Sequence, residues 1–326
     1  MLIGLTYDIR IEYLAEGYSE EETAEFDKPE TIDGIEEALR QLGHQTERIG
    51  HVRSLVKMLG QGKRWDLVFN ICEGLQGFAR ESEVPSILDA YGIPYTFSDP
   101  NVTMYTLHKA TAKSIVRAAG GRTADFCIVE KPEDAANVNL DFPIFAKPIA
   151  EGTGKGISGK SLVANQEELR ETVTYLLETF NQPVLLESYL PGREFTIGIT
   201  GTGEAARSLG ILEIHIRTKS EKSVYSYNNK ANYEHHVEYT LLRDEPELIA
   251  EIERQALIAW NALGCRDAGR LDLRSDIKGR PNFLEVNPMA GMNPEHSDLP
   301  ILCRQAGMSF VQLVGAIVDS ASKRVA

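Results

Sequence analysis

The sequence has little cysteine, no long apolar run and no concentration of positive charge. Its four cysteines, Cys72, Cys127, Cys265 and Cys303, stand far apart, and none belongs to a CxxC pair. Neither a structural zinc site nor a disulfide framework is signalled, and a reducing cytoplasm is the expected compartment. No apolar stretch approaches the roughly 20 residues of a membrane span, so no membrane association is expected. The start, MLIGLTYD, lacks a basic segment followed by a long apolar core, so no signal peptide is expected. No Lys/Arg run appears and the formal net charge is −14, which speaks against a nucleic-acid partner. No GxGxxG follows the first apolar strand, so a dinucleotide-dependent hydride-transfer enzyme fits poorly.

What is present describes a globular enzyme-sized chain. At 326 residues it exceeds what one core usually serves, so two or three domains are expected. Residues 2–6, 65–71 and 93–97 read as strands. Between them the spacing of Ile32, Ile35, Leu39 and Leu42, of Val52, Leu55, Val56 and Leu59, and of Val84, Ile87, Leu88 and Tyr91 predicts helices. Alternating strands and helices imply an α/β unit with a parallel sheet. Residues 16–30 carry seven acids against one lysine and read as a solvated helix or mobile loop, with a capping-box pattern at 19–22. Asp99-Pro100 marks a boundary. A helix to about 119, strands at 123–129 and 143–147, a helix at 166–180 and a strand at 184–187 follow. The last part has strands at 195–199 and 209–216, a polar and aromatic loop at 219–239, a helix at 248–263 and a closing helix at 310–318. The units are 1–99, 100–190 and 191–326.

The stretch 270–292, RLDLRSDIKGRPNFLEVNPMAGM, reads as two strands around a turn at 278–281. Alternation puts Arg270 and Asp272 on one face and Leu271 and Leu273 on the other, with Glu285 and Asn287 sharing a face of the second strand. Asp272, Glu285 and Asn287 form an all-oxygen set suited to Mg²⁺, which takes its remaining ligands from phosphates and water. A plain hairpin with a solvated polar face would show the same alternation. The stretch 151–160, EGTGKGISGK, has four glycines in ten residues, a composition that lets backbone amides wrap a phosphate. Gly154 to Ser161 spell the P-loop pattern, but Ser161 opens a short apolar run rather than a helix, so a true P-loop is rejected. A flexible hairpin is the plainer alternative.

With these pieces in this order, the chain resembles the ATP-grasp superfamily, and within it the D-alanine–D-alanine ligases. The likeness rests on GRLDLRSD, FLEVNPMAGMNPEHSDLP, RQAGMSFVQLV, VLLESYLPGREFTIGI and FPIFAKPIAEG, and spans nearly the whole chain. The resemblance implies a three-domain α/β fold: an N-terminal Rossmann-like parallel-sheet domain and two α+β subdomains that clasp ATP. It implies a ligase that phosphorylates a carboxylate with ATP and lets an amine displace the phosphate. By resemblance, Asp272, Glu285 and Asn287 hold two magnesium ions, with Mn²⁺ as a substitute, and Arg270 and the Gly291 amide form the oxyanion site. Lys109, Lys147 and a lid lysine, Lys230, match the lysines on the ATP phosphates. Glu151, Gly152, Thr153, Gly154 and Gly156 match the loop covering them. Glu187, Tyr189 and Leu190 match the adenine hinge, and Glu194 the ribose-binding acid. Glu73, His296 and Ser297, with Arg270 and Gly291, are expected to line the substrate side. The expected partners are small amino acids or carboxylates, with a homodimer as one open assembly.

The chain departs from the family pattern on the substrate side. Tyr7-Asp8-Ile9-Arg10 stands where the ligases carry a glycine-rich turn and a glutamate that contacts the first substrate. Ala231 replaces a lid tyrosine, and Glu73 replaces a histidine. A substrate other than D-alanine is therefore expected. True D-alanine–D-alanine ligase activity and non-catalytic nucleotide binding are the alternatives.

Overall fold

The computed structural model describes residues 1–216 and 237–325. The first unit is a parallel sheet in which β1 (Leu2–Tyr7) lies between β2 (Gln45–Gly50) and β3 (Leu67–Ile71). Helices α2 (Pro29–Gln41), α3 (Val52–Gly60) and α4 (Glu83–Ala90) follow the predicted periodicity. Strand β2 is invisible to hydrophobic patterning, because only Ile49 of QTERIG is buried. The strand expected at 93–97 is reduced to a bridge between Val68 and Tyr95. Pro94 lacks the N–H needed to extend the ladder, and Phe97 has left-handed backbone at φ 69.

The acidic segment differs most from expectation. After α1 (Arg10–Ala15) it forms a packed turn rather than a solvated helix. Ser19 and Glu22 do exchange capping-box bonds of 2.9 and 3.2 Å. No helix grows from them, because the segment is tied down on its far side. The Phe26 ring lies 4.5 Å from the Tyr13 ring, Thr23 is buried, and Arg10 N donates to Asp27 O at 3.0 Å.

The helix expected over 100–119 is two helices, α5 (Pro100–Leu107) and α6 (Lys109–Ala118). His108 breaks them with extended backbone and caps α6 by accepting from Thr111 N at 3.2 Å. The second sheet has the order β4 (Phe126–Val129), β7 (Val184–Ser188), β5 (Ile144–Pro148), β6 (Leu162–Val163), with α7 (Gln166–Phe180) packed on it. Ser161 runs into β6 and not into a helix, as the rejection of a P-loop requires.

The third sheet is antiparallel, in the order β10 (Val237–Leu241), β9 (Arg207–Ile216), β8 (Glu194–Thr200), β11 (Ala268–Ser275), β12 (Pro281–Asn287). Tyr239, expected in the long polar loop, lies in β10. Lys230 and Ala231 lie outside the described residues. One face of this sheet packs on α8 (Pro246–Leu263) through the fully buried Trp260, together with Val102 of α5 and Val116 of α6. The chain then returns to the first unit. Leu299 and Leu302 of α9 (Asp298–Gln305) and Leu313 and Ile317 of α10 (Phe310–Ser322) share one core with Ile3, Leu5, Ile32, Leu39 and Phe69. Among the described residues, no single helix is long and apolar enough to cross a membrane.

Asp267 ties these units together. Its side chain is buried and accepts from Phe97 N at 2.7 Å and from both terminal nitrogens of Arg324 at 2.7 and 2.6 Å. Arg324→Ala leaves that carboxylate buried with one amide partner, so stability should fall by about 3 kcal/mol, the lower end for a broken buried pair. Urea denaturation checks this, and a loss below about 1 kcal/mol would show that the bridge is dispensable.

Candidate active site

The second and third sheets face each other across a small cavity of about 90 Å³, which opens beside a larger one of about 600 Å³. The pairing of β11 with β12 is what populates their junction. Asp272 is directly opposite Glu285 and Arg270 directly opposite Asn287, so the alternation read from the sequence becomes one polar face. A register shift follows Asp272, a bulge of the kind that re-aims side chains.

The small cavity is lined by Lys147 of β5, by Glu187, Tyr189, Leu190 and Glu194, and by Lys109, Glu151, Gly154, Asp272 and Glu285. Glu187 is buried between two lysines, with Lys113 Nζ at 2.6 Å and Lys147 Nζ at 2.7 Å. Burial alone would raise the Glu187 pKa, but Lys113 and then Lys147 more than reverse that and lower it to about 2. The two lysines diverge. Burial brings Lys113 down to about 8, whereas at Lys147 the pull of Glu187 and Glu285 outweighs burial and raises it. Glu194 pairs with Arg274 at 3.2 Å, and the Arg274 guanidinium lies 5.2 Å from the centre of the Tyr189 ring.

The large cavity brings together Glu73, Gly152, Thr153, Arg270, Asn287, Gly291, His296 and Ser297, and shares Lys109, Glu151 and Glu285 with the small one. Arg270 is held from two sides, by Asp272 at 3.0 Å and by Asp298, which also accepts from the Tyr239 hydroxyl at 2.8 Å. Lys109 Nζ donates to the Glu151 carbonyl and lies 3.4 Å from Glu285. A Cβ on Gly291 would come within 2.9 Å of Ser297 Oγ, so the two are in contact. Gly156 lines neither cavity. It turns the base of the loop at φ 73, where a Cβ would strike Pro148. Lys155 points inward, 3.6 Å from Glu25 and 3.7 Å from Glu151, and so joins the glycine loop to the acidic segment.

The donor set at the junction fits a hard cation. Among the described residues, no group of three or more His, Cys, Asp or Glu is placed to hold a metal. The set here is instead two carboxylates and an amide. The Asn287 Nδ2 is buried without a hydrogen-bond partner. Amide nitrogen and oxygen exchange places by a flip, which would put a carbonyl oxygen at that point.

Five side chains at or beside the two cavities are missed by the sequence reading. Lys113 is one helical turn beyond Lys109, and Arg274 continues the alternation of Arg270 and Asp272, so both had a usable signal. Asp298 sits beside the quoted His296-Ser297. Arg80 and Glu81 carry no signal, because their place depends on the folded acidic segment.

Residues 115–319 match the family model described as D-ala D-ala ligase C-terminus. The chain belongs to the D-alanine–D-alanine ligase family. It is similar to a D-alanine–D-alanine ligase of Bordetella petrii, 31% identical over 276 residues, covering 84% of this chain and 80% of that one. It is also similar to the uncharacterized protein y4sG of Sinorhizobium fredii, 29% identical over 308 residues, covering 90% of this chain and 87% of that one. The crystal structure of a Bacillus anthracis D-alanine–D-alanine ligase complexed with ATP superposes with a TM-score of 0.74 at 22% identity, covering 99% of this chain and 98% of that one. That likeness bears on the fold, and the expected α/β ATP-grasp architecture is met. The protein is an ATP-dependent ligase of this family.

The ligase's Glu187 sets a pH-dependent term in stability. Its folded pKa, about 2, lies below the ordinary 4.5. The folded state therefore binds fewer protons than the unfolded state as pH falls through that window, so the stabilisation is present above about pH 4.5 and is lost toward pH 2. Glu187→Gln should cost about 3 kcal/mol at neutral pH, since it leaves two buried lysines without their carboxylate. The gap from wild type should narrow below about pH 4.5, which acid-range denaturation curves test. A gap independent of pH would assign the loss to packing instead.

Proposed function

We propose that this ligase forms an amide bond between a carboxylate and an amine through an acyl phosphate made with ATP, acting on an amino acid or small carboxylate other than D-alanine. The observation that carries the reading is the shared boundary of the two cavities. Lys109, Glu151 and Glu285 line both, so a nucleotide in the smaller space would present its terminal phosphate to a carboxylate in the larger one. A carboxylate is a poor electrophile until one oxygen becomes a leaving group, and phosphate transfer supplies that group. The amine then forms the new C–N bond, and the C–O bond to phosphate breaks.

In this reading Glu187, Tyr189 and Leu190 hold the base, Glu194 the ribose, and Lys109, Lys147, Lys230 and the loop 151–156 the phosphates. Asp272, Glu285 and Asn287 would hold Mg²⁺, as two ions or with Mn²⁺ in its place. Bound magnesium would supply charge neutralisation on the phosphate oxygens. Arg270 and the Gly291 amide would donate to the oxyanion of the tetrahedral intermediate. Asp298 and Asp272 fix the Arg270 fork before substrate arrives. Glu73, Thr153, His296 and Ser297 would line the substrate. The three units 1–99, 100–190 and 191–326 would close on the ligands. The cavity of about 600 Å³ is lined by Lys109, Gly152, Thr153 and Glu285 as well as by the substrate side, so it would take the phosphates together with both substrates. D-alanine–D-alanine ligase activity is the second reading, and the name of the Bordetella petrii relative favours it.

Arg270→Lys keeps the charge but loses the planar fork, so kcat for ADP release should drop by about 10²–10³ with little change in ATP affinity. A fall in ATP affinity with kcat intact would remove Arg270 from the oxyanion site. Glu285→Gln should lower ADP release by a factor of 10² or more, on the order of 3 kcal/mol of transition-state stabilisation, while the fold survives. Across a panel of amino-acid pairs, read by mass spectrometry, D-alanine should be at best a weak substrate. Fastest turnover with D-alanine would establish the second reading.

A further inference from the structure

The large cavity has a wall of carboxylates of which the ligase reading uses only Glu73, as a lining residue. Glu25, Asp27, Glu73 and Glu81 all line it, and all come from the first unit. Arg270, Asn287 and Gly291 line the same cavity from the β11–β12 side. Glu25 is already compensated. Arg80, itself buried, lies 3.1 Å away and Lys155 3.6 Å away, and these two overcome burial and lower the Glu25 pKa. Among the described residues, no basic side chain comes within 4.0 Å of Asp27, Glu73 or Glu81. These three therefore face the cavity without an ion pair.

The electrostatics agree with the geometry. Burial raises the Glu73 pKa well above its ordinary value, and Glu81, Glu25 and Asp27 raise it further against the pull of Arg80. Glu81 is raised to about 7 by burial and Glu25, against Arg80 and Lys109, and Asp27 to about 7 by burial and Asp8, against a bond from Thr31. Carboxylates so placed gain from any cation that enters. The cavity also offers a group for an organic ligand. Thr153 Oγ1 is buried at its edge without a hydrogen-bond partner, and Asn287, which lines the same cavity, is assigned to the metal.

We propose that the amino-acid substrate of this ligase carries a cationic side chain, an amino or guanidino group that lies against Glu73 and Glu81 while its reacting end lies at Arg270. This rests on the ligase reading and names the substrate class. Arg270 and Gly291 line the cavity from the hairpin side and Glu73 and Glu81 from the first unit, so an amino acid with its reacting end at the hairpin extends its side chain toward carboxylates that have no ion pair of their own. A small neutral amino acid brings only its α-ammonium to a wall of three carboxylates, whereas a basic side chain brings a second cation.

Binding separates this from the chemistry. Calorimetry on the full chain, with and without Mg²⁺ and a non-hydrolysable ATP analogue, would compare both enantiomers of lysine, arginine, norleucine and glutamate. Lysine or arginine should bind at least tenfold tighter than norleucine, which has the length of lysine without the charge. The preference should grow from about pH 6 to pH 8, because Glu81 and Asp27 must ionise to pair. The double variant Asp27→Asn, Glu81→Gln, with its fold verified by circular dichroism, should lose most of that preference and keep its affinity for norleucine. Equal binding of norleucine, tighter binding of glutamate, or no binding of any of the four overturns the proposal. ADP release driven by alanine but by no basic amino acid would overturn it and leave the ligase reading standing. Charge-dependent lysine binding without ADP release, whatever the acceptor, would keep the cation site and sink the ligase reading.

Discussion

A carboxylate removed from water must be matched by a cation or give up its charge, and this constraint organises the cleft. Glu187 is matched twice, by Lys113 and Lys147, and remains ionised deep between strands. Asp272 and Asp298 are matched by Arg270, Glu194 by Arg274, and Glu25 by Arg80 and Lys155. Apart from Arg270 and Asp272, two residues apart on β11, each pairing crosses between elements distant in sequence, so charge matching also sets how the elements sit. Where matching fails, at Glu73, Glu81 and Asp27, the protein keeps a cavity rather than a packed interface.

The same pairings explain why the cleft holds its shape while lined with polar atoms. Arg270 cannot swing freely, because Asp298 holds one guanidinium nitrogen and Asp272 another. Asp298 is held in turn by Tyr239 of β10. Thr196 of β8 donates to Asp272 at 2.5 Å, and so completes a chain of contacts across three strands. Such preorganisation is what an oxyanion site needs, since donors already aimed do not have to be reoriented during reaction.

Much of this is legible in the sequence where the period is strict. Alternation over 270–287 yields the strand pair, the polar face and the facing of Asp272 and Glu285 without reference to anything distant. The methionines 289 and 292, which lack a polar role, are buried in the core as their apolar character suggests. The illegible parts are those decided by remote partners. Strand β2 owes its place to pairing with β1 rather than to its own polar residues. The acidic segment looks solvated by composition, yet Phe26 and Arg80 draw it onto the cavity. Lys113 looks like a surface lysine until Glu187 arrives from a strand more than seventy residues later.

The return of α9 and α10 to the first sheet also has a meaning for how the chain is made. The core around Ile3, Leu5, Ile32 and Phe69 is finished by Leu299, Leu313 and Ile317, side chains that leave the ribosome well after these four. Throughout synthesis the earliest strand waits with one apolar face open. The two antiparallel units between can bury their own cores on Trp260 and on Leu169 and Val173 in the meantime. Of the three units, the one translated ahead of the other two is thus completed after them, and its open apolar face is what a chaperone would have to cover meanwhile.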